Sequence, residues 1–520
     1  MYGESSIVFS MLGLLVFILY VVVSWISKNH RNSKGKRAPV PEAGGAWPVI
    51  GHLHLLGGPE SPHLTLANMA DKYGPIFGIR LGVHPCLIIS NWEMAKECFI
   101  VNDRALASRP KLLAFEIMGY DFAMIGFSPY GNLWRHVRKM ATLEVLSNHR
   151  LESLKHVKES EVKWAMKETY EWWLKSKSGR CEMKKWFGDI ALNVVFRMVV
   201  GRRFEEIEGK ERLRKTLRDF FDLSGSFTVS DALPFLRWLD LDGKEKAMNK
   251  TFKELDQNAR LWLEQHKTNR DCQSPRQTKA KHGDFIDVLL SIVDQDQLTD
   301  AHDADTIIKA TSLALILAGT DTSTVTLIWC LCLLMNNPQV LEKAVEEVDR
   351  EIGKERMAEE SDLKKLPYLQ AILKETMRLY PAAPLAVPHE SMEDCTIGGY
   401  HIPSGTRLFV NLSKLHRDPK VYPDPLEFRP ERFLTTHKDV DVRGHNFELI
   451  PFGAGRRMCP GISFALQIMQ LTLANLLHAF DITNPDNQAV DMQEQTGLTN
   501  IKASPLQLLL TPRLSPHLYK

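Results

Sequence analysis

The chain has 520 residues, with 65 Lys+Arg against 63 Asp+Glu and a net charge of +2. That length allows several average domains or one large helical domain with a small sheet, and the balanced charge excludes the global basic field that nucleic-acid binding needs. Eight cysteines without a CxxC pair exclude zinc fingers and secreted disulfide frameworks and fit a reducing compartment.

Residues 7–26, IVFSMLGLLVFILYVVVSWI, carry no charge, and a helix of that length crosses ~30 Å of hydrocarbon. Glu4 precedes it, whereas Lys28, Arg31, Lys34, Lys36 and Arg37 crowd its far end, which predicts a cytosolic remainder by the positive-inside rule. The run is too long for the apolar core of a cleaved signal peptide and lacks an A-x-A site. Residues 1–27 are therefore read as a membrane anchor and 28–51 as a basic stop and proline-rich hinge, whose Pro39, Pro41 and Pro48 prevent the helix from continuing. Residues 52–520 form the globular part.

A short helix near 63–73 precedes two strands, 76–81 and 84–90, around the turn residues Gly82-Val83. Residues 106–130 are loop-like. The helix pattern at 131–144 sets Trp134 and Arg138 on one face, four apart, which reads either as an Arg packed over an indole or as half of a ligand site. Arg135 and Lys139 face away; with Arg456 they make either a basic patch for an acidic partner or a solvated charged face. Further helices are predicted at 151–175, 183–200 and 244–267, with an apolar connection at 220–241 and a polar exposed loop at 271–283.

Residues 305–335 form the longest helix pattern, apolar on nearly every face, as in a helix buried through the centre of a domain. Ala318-Gly319 removes bulk at one spot, and Asp321-Thr322 then places an acid and a hydroxyl where unpaired polar groups cost a few kcal/mol each. They can be satisfied locally, Thr322 bonding back to the carbonyl four residues earlier, or they can serve chemistry. Cys330 and Cys332 read as packing residues. The helix at 366–380 contains Glu375 and Arg378, a spacing that alone is worth a few tenths of a kcal/mol when exposed, and Pro430-Glu431-Arg432-Phe433 follows downstream.

The string PFGAGRRMCPG at 451–461 gives Cys459 a setting that core packing does not need. Gly453, Gly455 and Gly461 strip side chains from the backbone around the sulfur, so that a large flat ligand can approach and N–H groups can point at a thiolate. Phe452 is placed to pack on such a ligand's face and Arg457 to neutralise a carboxylate on its rim. Haem fits that description. The apolar helix pattern that follows puts the sulfur where a loop enters a helix, a position that favours the thiolate. A dinucleotide fingerprint fails, because Met458 stands at the third glycine position and no acid appears before Asp481.

These strings together resemble a cytochrome P-450, a haem-thiolate monooxygenase of the plant microsomal type. AWPVIGHL, AGTDTS, FGAGRRMCPG and the terminal GLTNIKASPLQLLLTPRL are most similar to the plant family numbered eighty-two. The resemblance implies a mainly α fold with a small β region, and Cys459 as the axial ligand of haem iron. It implies that Trp134, Arg138 and His389 hold haem propionates, that Ala318-Gly319 admits dioxygen, and that Asp321 and Thr322 organise a proton relay. Glu375, Arg378 and Arg432 become a buried ion network beneath the cysteine loop, and 106–130, 220–241 and 497–501 become walls of the substrate pocket. It further implies a hydrophobic plant metabolite as substrate, terpenoid before flavonoid, phenolic or alkaloid, and electrons from NADPH through a flavoprotein reductase at the endoplasmic reticulum. The rival functions are a haem-thiolate isomerase or dehydratase that uses no dioxygen and a haem sensor or electron carrier.

Overall fold

The computed structural model describes Gly13, Val16 and residues 38–176, 180–272, 283–293, 302–486, 488–495 and 497–520. The rest of the predicted membrane span and the basic stretch after it lie outside the described residues, as does most of the predicted loop 271–283. Helices dominate, joined by four small sheets among the described residues, the α-rich class expected.

The helix Ala304–Asn336 runs for 33 residues and packs along Met183–Val200, Pro367–Leu379 and Ile462–Ala479. Asp303 starts it by accepting the Thr306 N–H at 2.6 Å, and it stops where Pro338 begins the next helix. Four of its threonines are accommodated by hydroxyls that bond back one turn, among them Thr320 to the Ile316 carbonyl at 2.6 Å and Thr324 to Thr320 at 2.8 Å. Ala304–Asn336 and Ile462–Ala479 are each long and apolar enough to cross a membrane, but both are mostly buried inside the protein. Cys330 and Cys332 are fully buried, as expected of packing residues.

The main sheet has the order Ile76–Leu81, His84–Ile89, Arg407–Val410, His389–Glu390. Its first two strands form the predicted antiparallel hairpin. The third pairs in parallel, setting Cys86 opposite Arg407 and Ile89 opposite Val410, and the fourth sets Glu390 opposite Arg407. The later part of the predicted hinge lies along this sheet: the Gly78 N–H donates to the Pro41 carbonyl at 2.8 Å and the Ala43 N–H to Gly78 at 2.9 Å.

The apolar connection at 220–241 continues the helix Lys210–Ser224 into Val229–Ala232 and the 3-10 turn Pro234–Leu239. Two glycines let it sit down on its neighbours. A Cβ on Gly82 (φ +60°) would lie 2.0 Å from the Ala232 carbonyl oxygen, and one on Gly225 would lie 2.1 Å from the Leu498 nitrogen. The connection, the sheet and the turn at 497–500 thus border one cavity of about 140 Å³.

Candidate active site

Cys459 lies three residues before the helix Ile462–Ala479. Its N–H donates to the Phe452 carbonyl at 2.9 Å, which closes the loop 452–459, and its half-buried sulfur accepts the Gly461 N–H at 3.4 Å. Burial pushes the thiol above its ordinary pKa, while the Gly461 N–H and Arg138 pull it down. Burial thus opposes the thiolate that the loop-to-helix position favours.

Three other residues of the string have partners within the protein. A Cβ on Gly455 would lie 2.5 Å from Asp103 Oδ1 and 2.9 Å from the Phe99 carbonyl, so this glycine makes room for the protein's own residues 99–103. Asp103 in turn accepts the Arg456 N–H at 3.0 Å and its guanidinium at 2.8 Å, which removes Arg456 from the expected basic patch and leaves Arg135 and Lys139 exposed there. Phe452 contributes its carbonyl, and its ring packs against the main core.

Arg109, Arg138 and Arg457 form a cationic group with the neutral His389 beside it; Arg109 and His389 are buried, Arg138 and Arg457 half-buried, and Arg138 acts on the sulfur. Trp134 is buried between two of them, Arg457 at 4.4 Å and Arg138 at 6.0 Å from its ring. Arg457 donates to the Ala107 and Ser128 carbonyls, each at 2.6 Å, and Arg109 to Val387 and Pro388 at 2.7 and 2.8 Å. Burial, then repulsion from Arg109 and Arg138, brings Arg457 down to about 8, and burial brings Arg109 down to about 9. His389, held by the Leu106 carbonyl at 2.7 Å, is lowered well below the ordinary imidazole value by burial, then by Arg109 and Arg457. Among the described residues no carboxylate contributes to the shifts of these four groups. Such a donor set suits an anionic ligand, and haem, with its two propionates beside a sulfur ligand, fits it. Arg109, alone in a mixed loop, gave no sequence signal for this place.

On the central helix, Ala318 is exposed and Thr322 half-buried one turn on, a narrow open stripe in an otherwise buried element. Thr322 Oγ1 donates to the Ala318 carbonyl at 2.8 Å. Gly319 serves packing instead: a Cβ there would come 3.1 Å from Val195 and 3.4 Å from Phe464 of the helix after Cys459. The open spot predicted from Ala318-Gly319 therefore belongs to Ala318 and Thr322. Asp321 accepts the Thr499 hydroxyl at 2.6 Å and lies 3.7 Å from Arg218. Burial raises its pKa, while Thr499, Arg218 and Lys184 oppose the shift. These three partners come from distant segments that local pattern does not connect.

The sequence profile of the family described as Cytochrome P450 matches residues 41–510. The chain belongs to the cytochrome P450 family. It is similar to strychnine-10-hydroxylase of Strychnos nux-vomica, 53% identical over 98% of each chain, and to xanthotoxin 5-hydroxylase CYP82C4 of Arabidopsis thaliana, 49% identical over 98% of this chain and 99% of that one. Among solved structures it is similar to a zebra fish cytochrome P450 in a structure with progesterone, with a TM-score of 0.75, 25% identity, and coverage of 87% of this chain and 100% of that one. The protein is a P450 monooxygenase of the plant CYP82 kind, acting on small molecules, and its family implies haem.

In this P450, Glu375, Arg378 and Arg432 meet in the core, at 0%, 0% and 3% exposure. Arg378 bonds both Glu375 oxygens at 2.7 and 2.9 Å, and Arg432 Nε reaches Glu375 Oε1 at 3.0 Å. A residue that sequence reasoning passed over connects this network to the cysteine loop. His416 gives its carbonyl to Arg378 at 3.1 Å and accepts the Ile450 N–H on Nε2 at 3.0 Å, next to the start of the string. Burial, then Arg378 and Arg417, lowers His416 to about 3, so it stays neutral and can accept.

Proposed function

We propose that Cys459 binds haem iron and that the P450 hydroxylates a small hydrophobic plant metabolite, taking electrons from NADPH through a separate flavoprotein reductase. The observation that carries this reading is the sulfur acted on by Arg138, in a group with Arg109 and Arg457 that has no acidic partner among the described residues. Haem bound there by thiolate supplies activation of dioxygen and insertion of one oxygen atom into a C–H bond. Arg138, Arg457 and Arg109 would offset the propionate charge, a propionate beside His389 would draw a proton onto its ring, and Trp134 would hold Arg138 and Arg457 in place. Asp321, kept protonatable by burial and linked to Thr499, would pass protons toward the face opened by Ala318 and Thr322. The network of Glu375, Arg378 and Arg432 would fix the cysteine loop without touching substrate.

The two relatives are named for strychnine and xanthotoxin, which favours a rigid polycyclic alkaloid or phenolic over the terpenoid expected from the sequence. Residues 1–27 would anchor the enzyme in the endoplasmic reticulum membrane, 28–51 would lead to the sheet, and 52–520 would form the cytosolic haem domain. Phe227, Phe235, Trp238 and Leu241 are exposed on the connection above the cavity, which supports its contact with lipid. Arg135 and Lys139 would face the reductase.

Reduced-carbon-monoxide difference spectra and NADPH-dependent turnover with a reductase, on a panel of alkaloids, phenolics and terpenoids, test the proposal. Cys459→Ser should lose both the thiolate spectrum and product. Retention of both refutes the ligand assignment, and turnover without oxygen would favour the isomerase reading.

A further inference from the structure

Arg407 is 6% exposed, lies on an inner strand of the main sheet and lines the cavity of about 140 Å³. Among the described residues its guanidinium donates no hydrogen bond; its Nε is buried without a partner, and Glu390, directly across the strand pair, comes only to 3.8 Å. A buried guanidinium normally finds acceptors for its five donors, as Arg378 and Arg109 do in this same protein. Two more orphans line the same space: Ser224 Oγ and Asn500 Oδ1, in residues 8% and 3% exposed. The remaining wall is largely apolar, including Phe115, Leu385 and Leu498.

The charge around Arg407 decides what kind of partner fits. Glu390 and Asp231 both act on it electrostatically. Asp231, itself on the cavity wall, has its two oxygens engaged by the Leu113 N–H and the Thr228 hydroxyl, each at 2.7 Å. One cation is thus already matched by two acids, and a ligand carboxylate entering the site would meet their repulsion. A neutral acceptor oxygen needs only the free N–H groups. It gains a charge-assisted hydrogen bond and adds no charge to the cavity.

We propose that Arg407, aided by the Ser224 hydroxyl, recognises a neutral carbonyl oxygen at one end of an otherwise apolar, polycyclic substrate, and so is a specificity-determining residue of this P450. This rests on the cavity being the substrate site of a haem monooxygenase. Arg407 acts on binding and orientation, and the oxygen chemistry is left to the site described above. Placing one carbonyl at a fixed wall leaves the rest of a rigid ring system a single way to lie in the cavity, which limits the carbons that can be attacked.

The test uses the full-length holoenzyme and three probes of one shape: xanthone, which has a neutral carbonyl, xanthene, which has CH₂ in its place, and xanthene-9-carboxylate. Dissociation constants come from substrate-induced Soret difference spectra. Wild type should bind xanthone about tenfold or more tighter than xanthene and the carboxylate no better than xanthene. Arg407→Met should lose the xanthone preference, bind xanthene at least as well and keep its haem content; it should melt below wild type, because Glu390 and Asp231 lose the cation they face, so binding is read at a temperature where both proteins are folded. A wild type that binds neither neutral probe or both equally, a preference that survives Arg407→Met, or tightest binding of the carboxylate would each overturn the proposal. The reduced-carbon-monoxide spectrum of wild type separates the two layers: its absence overturns the monooxygenase reading itself, and its presence with no discrimination overturns only the role of Arg407.

Discussion

Arg378→Ala is the sharpest test of how this P450 holds its cysteine loop. Arg378 is fully buried and donates five hydrogen bonds, two to Glu375 at 2.7 and 2.9 Å and one each to the carbonyls of His416 at 3.1 Å, Pro425 at 2.7 Å and Glu427 at 3.2 Å. Breaking a buried ion pair by removing one partner costs about 3–5 kcal/mol. Two features hold the loss near the middle of that range. Glu375 keeps Arg432 at 3.0 Å and the Arg429 N–H at 2.9 Å, and the Pro425 and Glu427 carbonyls are only partly buried, so water can reach them. The His416 carbonyl, by contrast, loses its donor inside the core, and a buried orphan costs about 1–3 kcal/mol. The expected loss is about 4 kcal/mol, a large part of the about 5–15 kcal/mol that a folded domain has. Because His416 also carries Ile450, the damage should reach the cysteine loop and appear as lost haem. Denaturant midpoints and haem content of purified protein measure both. Arg378→Lys, which keeps the charge with three donors, should fall between wild type and Ala. If Arg378→Ala keeps its midpoint and a full haem-thiolate spectrum, the idea that this network supports the loop is wrong.

Two further outcomes are expected. His416 is held neutral, its pKa lowered to about 3 from an ordinary 6.5, so the unfolded chain binds a proton that the fold refuses; stability should decline as pH drops below about 6.5 toward 3. His389 shifts in the same direction, and His416→Gln should flatten but not abolish the slope, as read from denaturant midpoints at pH 5 and 7. Asp321→Asn removes the charge that faces Arg218 and the Thr499 hydroxyl; turnover should fall about a hundredfold with the substrate-induced spectrum intact, and unchanged turnover would dismiss a proton-relay role.

Legibility followed sequence distance. Helices 183–200 and 305–335, the hairpin at 76–90 and the apolar helix after Cys459 are readable because apolar spacing and turn residues act within a few positions, and the structure has Met183–Val200, Ala304–Asn336, Ile76–Leu81 with His84–Ile89, and Ile462–Ala479. The strings around Cys459, Asp321-Thr322 and Glu375-Arg378 likewise stand out, since the chemistry proposed for them draws on residues close together in the chain. Even there, what each glycine faces was hidden: Gly455 admits Asp103 and Gly319 admits Val195 and Phe464, contacts set by which elements pack together.

Residue type and local spacing were therefore sufficient for the family and for the helices named above. Tertiary structure alone decided which groups meet: Arg456 with Asp103, Asp321 with Thr499 and Arg218, His416 between Arg378 and Ile450, and the Arg407 guanidinium left with no hydrogen bond among the described residues. A charge in the core must be compensated by whatever chain is brought beside it. Here that chain is often hundreds of residues away, placed by a parallel strand pair and a central helix that touch segments from every part of the sequence.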